Sequence, residues 1–314
     1  MNIAITFAGQ GAQYAGMGKD LYDNFTQCRA VFEAADDTLG FKLSDIMFAG
    51  SEIDLAKTEI TQPAVLTHSI AAWQLLKDIV QPSYALGLSL GEYSALVAAE
   101  ALPFADTVAL VRKRGQFMAE ACLPGTSGMS AIMNLSRELA LEACEQASAH
   151  GVVVAANFNM PGQIVIAGEI AALEAAEQLC KEKGARKCIR LGVAGAFHTP
   201  LLDSAAQRLA AELAGLDEHG KISAPKLPVV SNYTARPIDS AQSIAPTLLN
   251  QIVSPVLWED SLMYLLDNGV DTFIEIGPGK ALSGFIKKTA GTRPVSIYNI
   301  EDTASYNKVM EAIS

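Results

Sequence analysis

A serine stands in the middle of the pentapeptide GLSLG, residues 87–91, between a short β-branched and apolar run and a stretch with helical character. On a tight strand-to-helix turn a serine is lifted out of the backbone, and the following helix N-terminus directs N–H groups toward a developing oxyanion. Ser89 is therefore a candidate nucleophile. The pentapeptide alone is a weak signal, and an ordinary glycine-flanked turn is the alternative.

A serine nucleophile needs a base, and the chain contains four histidines. His198, in GAFHTP, follows the last strand of a predicted inserted unit and precedes a helix, so it lies at a seam where a pocket can form. The other three have local explanations: His68 packs in a helix, His150 ends one, and His219 lies in a polar loop. No acidic residue is placed to orient His198, so the sequence predicts a Ser/His dyad. A capping histidine is the alternative.

Arg114 is the third informative residue, because it shares the apolar stripe of a predicted helix with Leu110 and Phe117. A buried guanidinium needs an anion, since burying an unpaired charge is costly. A clamp for a substrate carboxylate suits the planar fork of arginine. A buried salt bridge to Asp or Glu is the equally weighted alternative.

Two glycine-containing loops resemble phosphate-binding sequences. GQGAQ at residues 9–13 lacks the third glycine of the dinucleotide fingerprint, where Tyr14 stands, so we reject a dinucleotide site. Its glycines more simply bring backbone amides close to a ligand. GPGK at residues 277–280 could hold an anion at a helix N-terminus, but a plain turn is the favoured interpretation.

The composition excludes several classes of protein. The 314 residues carry a net charge of −11 and are 50% hydrophobic, which argues against nucleic-acid binding and predicts a large core. Five cysteines without a CxxC or Cys/His cluster indicate reduced thiols in the cytoplasm, with no disulfide framework or metal site. The N-terminus has no signal-peptide pattern, and no apolar run reaches the ~18 residues that a membrane span requires.

The elements that must position these residues alternate between strand and helix, which favours an α/β sheet. Thr61 and Pro63 predict a helix start, because proline suits the first turn. Residues 217–220 predict a polar loop. We predict strands over 3–7, 84–86, 229–230 and 272–276, and helices over 61–78, 92–99, 105–121 (ending before Pro124), 202–214, 252–266 (broken at Pro255) and 281–288.

The middle of the chain follows a different order. Strands are predicted over residues 129–135, 152–158, 163–168 and 188–193, with helices over 137–150 and 170–184. The order βαββαβ is that of a ferredoxin-like unit. We interpret it as a small subdomain inserted into the larger one.

Several motifs in one order give a specific resemblance. The chain resembles the malonyl-CoA:acyl carrier protein transacylases of bacterial type II fatty acid synthesis almost from end to end. This resemblance implies a large α/β-hydrolase-like domain with a parallel central sheet, residues 1–125 and 195–314, around a ferredoxin-like subdomain, residues 126–194. The motifs are GQGAQ (9–13), TQPA (61–64), GLSLGEYSAL (87–96), RGQFM (114–118), NFNMPGQIVIAG (157–168), the segment 195–202 and EIGPGK (275–280).

The resemblance also assigns roles. It implies that Ser89 is the nucleophile and His198 the base, with the main-chain carbonyl of Gln251 orienting the histidine in place of an acid. One departure is Leu88, because many members carry histidine before the serine. The remaining implied residues are Gln10 and Leu90 (backbone N–H groups of an oxyanion hole), Arg114 (malonyl carboxylate), and Gln62 and Phe197 (substrate pocket).

The implied activity is transfer of a malonyl group from malonyl-CoA, through a malonyl-serine ester, to the pantetheine thiol of holo acyl carrier protein. No cofactor or metal is implied, since malonyl-CoA is a substrate, and we expect a monomer. Lys280, Lys287 and Lys288 are candidates for a carrier-protein docking patch, with a solvated helix face as the alternative. Rival functions are a carrier-protein acyltransferase or acyl hydrolase of polyketide synthesis, a simple esterase or thioesterase, and a non-catalytic scaffold.

Overall fold

A computed structural model describes residues 1–123 and 125–313, so the predicted helix boundary at Pro124 and the last residue, Ser314, lie outside the described residues. The strands are β1 (Ile3–Phe7), β2 (Tyr84–Gly87), β3 (Ser127–Met133), β4 (Val153–Met160), β5 (Gln163–Glu169), β6 (Lys187–Arg190), β7 (Val229–Val230), β8 (Thr272–Ile276) and β9 (Ser296–Ile300). The helices are α1 (Lys19–Asn24), α2 (Thr26–Leu39), α3 (Leu43–Ala49), α4 (Glu52–Leu55), α5 (Thr58–Trp73), α6 (Leu90–Ala98), α7 (Phe104–Ala121), α8 (Arg137–Ala147), α9 (Ile170–Glu182), α10 (Asp203–Glu218), α11 (Ala241–Val253), α12 (Trp258–Asp267), α13 (Ala281–Ala290) and α14 (Thr303–Ile313).

The large sheet consists of five parallel strands in the order β7-β2-β1-β8-β9. Its central strands are apolar and buried along most of their length, as expected for a parallel sheet covered on both faces. Phe7 lies beside Gly87 on one side and Ile276 on the other, so the loops after β1, β2 and β8 leave from the same edge. The α/β class with a parallel central sheet is confirmed.

The small sheet is antiparallel, in the order β4-β5-β3-β6. With α8 and α9 it follows the predicted order βαββαβ, and its strand order is that of the ferredoxin-like unit. The unit has its own core, which includes Ile132, Ile166 and Leu173. The domain boundaries at residues 125 and 195 stay predictions.

The prediction that a helix starts at Thr61 is wrong. Helix α5 begins at Thr58, and Pro63 is its sixth residue. The missing N–H of Pro63 affects only the carbonyl of Glu59 in the first turn, which limits its cost. Every residue from Thr61 to Trp73 is buried, so tertiary packing outweighs the local signal.

Other elements differ in extent or were not predicted. Helix α10 continues to Glu218, so the first half of the loop predicted over 217–220 is the end of a helix. Strand β6 ends at Arg190, three residues before the end of the predicted strand, because the next residues leave the sheet. The 3₁₀ turn Ser148–His150 replaces the last turn of the helix predicted over 137–150. The elements that the sequence interpretation did not predict are α1, α2, α3, α4, β9 and α14, together with most of α11.

Among the described helices, none combines the length and the apolar character that crossing a bilayer requires.

Helices α5 and α7 approach each other closely at Gly115. A Cβ atom on Gly115 would lie 2.6 Å from the carbonyl oxygen of Thr58 and 2.8 Å from the Cα of Glu59. These are backbone atoms, so they cannot swing aside as a flexible side chain does. The contact fixes the distance between the helix that carries Gln62 and the helix that carries Arg114.

We expect Gly115→Ala to lower the free energy of unfolding by about 1–2 kcal/mol, because overpacking outweighs the ~1 kcal/mol that alanine gains in helix propensity. The measurement is urea unfolding followed by circular dichroism. Gly215→Ala is the matched control, since Gly215 lies in α10 and a Cβ there would have no neighbouring atom within 4 Å. Equal or greater stability of Gly115→Ala relative to Gly215→Ala would contradict a tight contact.

Candidate active site

Ser89 occupies the turn between β2 and α6 with φ 53° and ψ −101°, a strained conformation for a residue other than glycine. Positions 87 and 91 must be glycine because there is no room for a side chain at either. A Cβ on Gly87 would lie 1.9 Å from the carbonyl carbon of Gly91, and a Cβ on Gly91 would lie 2.2 Å from the carbonyl oxygen of Phe7. The pentapeptide is thus a compressed elbow that raises the serine above the edge of the large sheet.

Ser89 and His198 lie in direct contact. The Oγ of Ser89 is 2.7 Å from Nε2 of His198, and Nδ1 of His198 is 2.9 Å from the main-chain carbonyl oxygen of Gln251. When Nδ1–H donates to that carbonyl, Nε2 is left as the acceptor that a general base needs. Burial, and next the charge of Arg114, lower the pKa of His198 to about 4, so the imidazole is neutral at pH 7.

Arg114 is buried and is hydrogen-bonded to three side chains of the site. Its Nη1 donates to Oε1 of Gln62 at 2.8 Å, and its Nη2 donates to Oγ of Ser89 at 3.2 Å and to Oε1 of Gln251 at 3.0 Å. All three acceptors are neutral. The described residues therefore do not form the alternative, a direct buried salt bridge to Arg114, and the guanidinium faces Ser89 instead.

Two polar residues that sequence reasoning did not single out fix the elbow. Asn232 accepts the N–H of Ser89 on Oδ1 at 2.6 Å and donates from Nδ2 to the carbonyl of Gly87 at 2.8 Å. Glu92 is fully buried, and its Oε2 accepts the N–H of Asn232 and the Nε2–H of Gln251, both at 2.9 Å. The sequence does contain a signal for Glu92, because it is the one charged residue of helix α6, which is otherwise mostly apolar. Asn232 follows β7, a strand of only two residues, and no local pattern in the sequence indicates its role.

The buried position of Glu92 shifts its titration. Loss of solvation raises the pKa of Glu92 to about 7, against the opposing effects of the hydrogen bonds from Asn232 and Gln251 and the charge of Arg114. Gln251 also donates from Nε2 to the main-chain carbonyl of Ser89 at 2.9 Å. The side chain and main chain of Gln251 therefore contact Ser89, His198, Arg114 and Glu92.

The two predicted oxyanion donors lie in adjoining loops. Gln10 follows β1, and Leu90 is the first residue of α6. The loops touch at Gly9, where a Cβ would lie 2.4 Å from the carbonyl oxygen of Leu88. Neither the N–H of Gln10 nor that of Leu90 donates to another described residue, so both are free for a ligand. Gln62, which holds Arg114, also approaches the side chains of Gln10 and Met118 through its Nε2.

A cavity of about 380 Å³ opens above Ser89 and His198, between the two sheets. Phe197 is buried beside His198 and forms part of the wall, as does Leu88, the residue that departs from the family pattern. The wall is mostly apolar. The remaining lining residues are Ala8, Gly9, Gln10, Gly11, Ala12, Met118, Glu275, Ala281, Leu282 and Phe285 from the large-sheet side, and Met129, Asn157, Asn159, Val165, Leu191, Gly192 and Val193 from the small-sheet side.

The three candidate docking lysines lie on or beside α13. Lys280 is exposed next to the cavity-lining Ala281, with its Nζ 3.7 Å from a carboxylate oxygen of Glu301. Lys287 and Lys288 are exposed in the last turn of the same helix. The structure therefore puts Lys280 close to the cavity and the other two about two turns away along the helix, roughly 10 Å by the helical rise.

The GPGK turn is occupied by a group of the chain itself. The N–H of Gly279 donates to Oε2 of Glu301, so this turn holds an internal carboxylate, in keeping with its interpretation as a structural turn. Across residues 1–123 and 125–313, no group of three or more His, Cys, Asp or Glu side chains is arranged to hold a metal ion.

The comparisons with known proteins agree on one family. The family model of the acyl transferase domain matches residues 5–307. A malonyl CoA-acyl carrier protein transacylase of Bacillus subtilis (strain 168) is 44% identical over 288 residues, which cover 91% of this chain and 90% of that protein. The crystal structure of a malonyl CoA-acyl carrier protein transacylase from Clostridium perfringens is 41% identical with a TM-score of 0.94, covering 100% of this chain and 97% of the other.

A further solved structure contains a carrier protein. It is a holo type II polyketide synthase acyl carrier protein in complex with its malonyl-transacylase, and it matches with 37% identity and a TM-score of 0.95. The match covers 99% of this chain and 100% of the other.

The lowered pKa of His198 predicts the pH range in which Ser89 is reactive. Because the neutral imidazole is the proton acceptor, labelling of Ser89 by phenylmethanesulfonyl fluoride should persist well below pH 6.5 and decline only as the pH falls toward about 4. The measurement is the labelling rate by mass spectrometry between pH 3.5 and 7, with circular dichroism to follow folding.

His198→Ala should remove rapid labelling, whereas His219→Ala, at an exposed helix end, should leave the profile unchanged. If the labelling rate of the parent chain fell with a midpoint near pH 6.5, burial would not be lowering the pKa of His198.

Proposed function

The chain belongs to the acyl transferase family, and we propose that it transfers a malonyl group from malonyl-CoA to the pantetheine thiol of holo acyl carrier protein through an ester on Ser89. The observation that carries this proposal is the hydrogen bond from the buried Arg114 to the Oγ of Ser89, because it puts a carboxylate-binding cation beside the acylated atom. The relatives named as malonyl CoA-acyl carrier protein transacylases support the choice of acyl group and acceptor.

The first half-reaction follows from the dyad. Nε2 of His198 takes the proton of Ser89 as Oγ attacks the thioester carbonyl, and the N–H groups of Gln10 and Leu90 stabilise the resulting oxyanion. The tetrahedral intermediate then collapses. The C–S bond breaks, the coenzyme A thiolate receives the proton from His198, and the malonyl ester remains on Ser89.

The second half-reaction reverses these steps with a new nucleophile. His198 accepts the proton of the pantetheine thiol, the sulfur attacks the ester carbonyl, and Oγ of Ser89 leaves with the proton from His198. A transferase must favour the thiol over water. The apolar cavity wall formed by residues such as Met129, Val165 and Phe197 supports that preference, because it limits the access of water to the ester.

Substrate selection rests on four residues. Arg114 binds the malonyl carboxylate, and Gln62 and Gln251 hold its guanidinium in place. Phe197 forms the wall next to His198, so its ring would collide with a 2-methyl substituent. Selection against one methyl group in an apolar pocket amounts to about 1–3 kcal/mol.

Fatty acid elongation is the proposed use of the product. The alternative is supply of malonyl groups to a carrier protein of polyketide synthesis, which the similarity to the complex with a polyketide synthase carrier protein favours. A simple esterase or thioesterase would use Ser89 and His198 but would gain nothing from Arg114. Preference among carrier proteins separates the first two functions.

The proposal also covers the cofactor requirement, the domain organisation, the oligomeric state and the cellular location. The reaction needs no cofactor, because proton transfer, nucleophilic attack and oxyanion binding all use groups of the chain. Residues 126–194 act as a subdomain, which their separate sheet and core support. A monomer acting in the cytoplasm fits a site assembled within one chain and five cysteines without disulfide partners among the described residues.

A basic docking patch formed by Lys280, Lys287 and Lys288 is the proposed contact for the acidic carrier protein. Reversing both charges in the double variant Lys287→Glu/Lys288→Glu should raise the KM for carrier protein by up to roughly tenfold, since each exposed ion pair contributes about 0.2–1 kcal/mol. The KM for malonyl-CoA should change little. The parent KM for carrier protein should rise with salt.

Lys77→Glu/Lys226→Glu carries the same charge change near the opposite edge of the large sheet, where β2 and β7 begin, and should leave this KM unchanged. Equal KM values for the two double variants would remove Lys287 and Lys288 from the docking surface.

Mass spectrometry after incubation with malonyl-CoA tests the function itself. We expect one malonyl group on Ser89, discharged by holo acyl carrier protein. Arg114→Ala should slow malonyl loading about 100-fold, the equivalent of roughly 3 kcal/mol for lost charged hydrogen bonds, and should spare acetyl loading.

Lys113→Ala changes an exposed residue of the same helix and should load malonyl normally. Absence of the adduct, or discharge to water alone, would sink the transferase proposal. Unchanged malonyl loading in Arg114→Ala would exclude the carboxylate clamp.

A further inference from the structure

Building on the proposed function, we propose that Glu92 is the internal counter-ion of Arg114 in the unloaded enzyme, and that it takes up one proton when an acyl carboxylate binds Arg114. Glu92 is then a residue that determines specificity without touching the substrate. The proton comes from solvent and binds the carboxylate of Glu92, so that one buried anion replaces another beside the same cation.

The two charges are connected by the side-chain amide of Gln251. Nη2 of Arg114 donates to Oε1 of Gln251, and Nε2 of Gln251 donates to Oε2 of Glu92. This path aligns the amide dipole between the cation and the anion. It also leaves the guanidinium free to face the Oγ of Ser89 instead of being held by a direct ion pair.

The two oxygens of the Glu92 carboxylate differ in their hydrogen bonding. Its Oε2 accepts hydrogen bonds from Asn232 and Gln251, whereas its buried Oε1 has no donor among the described residues. A bare anionic oxygen in a buried position is costly. Oε1 is therefore the atom on which a proton costs least, because protonation removes charge there without breaking the hydrogen bonds to Oε2.

The surrounding groups leave Arg114 and Glu92 as the charged pair. Arg114 faces Glu92 from α7, and Tyr93 on α6 is neutral because burial raises its pKa to about 12. His198 is also neutral at pH 7, because burial and next the charge of Arg114 lower its pKa to about 4. The groups that face Glu92 from the loop after β7 and from α11 are all uncharged: the side-chain hydroxyl of Ser231, the main-chain N–H of Asn232 and the side-chain amide of Gln251.

A bound malonyl group adds a second carboxylate to this balanced pair. Two anions would then share one cation in a buried site, and like charges in such a site raise the pKa of the group that can accept a proton. Since the pKa of Glu92 already stands at about 7, uptake of a proton near neutral pH requires little free energy. An acetyl group carries no carboxylate and leaves the pair undisturbed.

The direction of the pH dependence follows from this exchange. Below pH 7 Glu92 already carries its proton, and Arg114 is available to a carboxylate. Above pH 7 Glu92 is ionised in the unloaded enzyme and must gain a proton on binding, so the affinity for malonyl-CoA falls by up to about tenfold per pH unit.

Isothermal titration calorimetry of the Ser89→Ala chain with malonyl-CoA, in buffers of different ionisation enthalpy, measures the proton uptake directly. We expect little uptake at pH 6, rising toward one proton per site at pH 8, and no such uptake with acetyl-CoA. Glu92→Gln in the same background should abolish the uptake, whereas Glu100→Gln, an exposed glutamate just beyond α6, should retain it.

The same exchange predicts the steady-state behaviour. In the parent chain the KM for malonyl-CoA should rise between pH 7 and 8.5, and in Glu92→Gln it should be flat. Equal proton uptake for malonyl-CoA and acetyl-CoA would overturn the proposal. Uptake that decreases from pH 6 to 8 would also overturn it, by assigning the proton to His198.

The measurements on chains with intact Glu92 do not depend on the folding of Glu92→Gln. They also separate the two proposals. Failure of the parent chain to load malonyl on Ser89 contradicts the proposed function, whereas normal loading without proton uptake contradicts the role of Glu92 alone.

Discussion

The hydrogen bond between Nδ1 of His198 and the main-chain carbonyl of Gln251 is the interaction on which the site depends. It selects the tautomer that directs the lone pair of Nε2 at Ser89. A carbonyl, unlike a carboxylate, brings no negative charge to stabilise an imidazolium, which agrees with the low pKa of the buried ring. In the proposed reaction His198 is consequently a weak base, so proton transfer would rely on short distances and on the oxyanion site proposed at Gln10 and Leu90 more than on basicity.

The edge of the large sheet explains why these groups meet. Parallel strands β1 and β2 end side by side, so the loop with Gln10 and the elbow with Ser89 share one location despite being about 80 residues apart. Close approaches at glycine hold the loops together, and Asn232 closes the elbow from the strand on the other side of β2. The small sheet then covers this edge and encloses the cavity.

Sequence reasoning reached the groups whose chemistry is visible in local patterns. The α/β class and the ferredoxin-like order followed from alternation and turn residues, and the glycine-flanked serine and the arginine on an apolar stripe drew attention to Ser89 and Arg114. The structure brings these two residues and His198 within hydrogen-bond distance; their catalytic roles stay predictions.

The remaining features depend on contacts between distant parts of the chain. The helix start predicted from Pro63 is wrong because burial of α5 outweighs the local preference of proline. Strand β9 has no signal in the sequence, because this half-exposed edge strand lacks a continuous apolar run. Asn232 lies 143 residues from the N–H that it accepts, so no local spacing could reveal it. The segment with Leu191 and Val193 leaves the small sheet to line the cavity beside the base. The small sheet turns Met129 and Val165 toward the cavity, where they join the core of the large sheet, and it packs its other face on a hydrophobic core of its own. Substitutions on the cavity face can therefore reshape the cavity while Ser89, His198 and Arg114 keep the hydrogen bonds that hold them together.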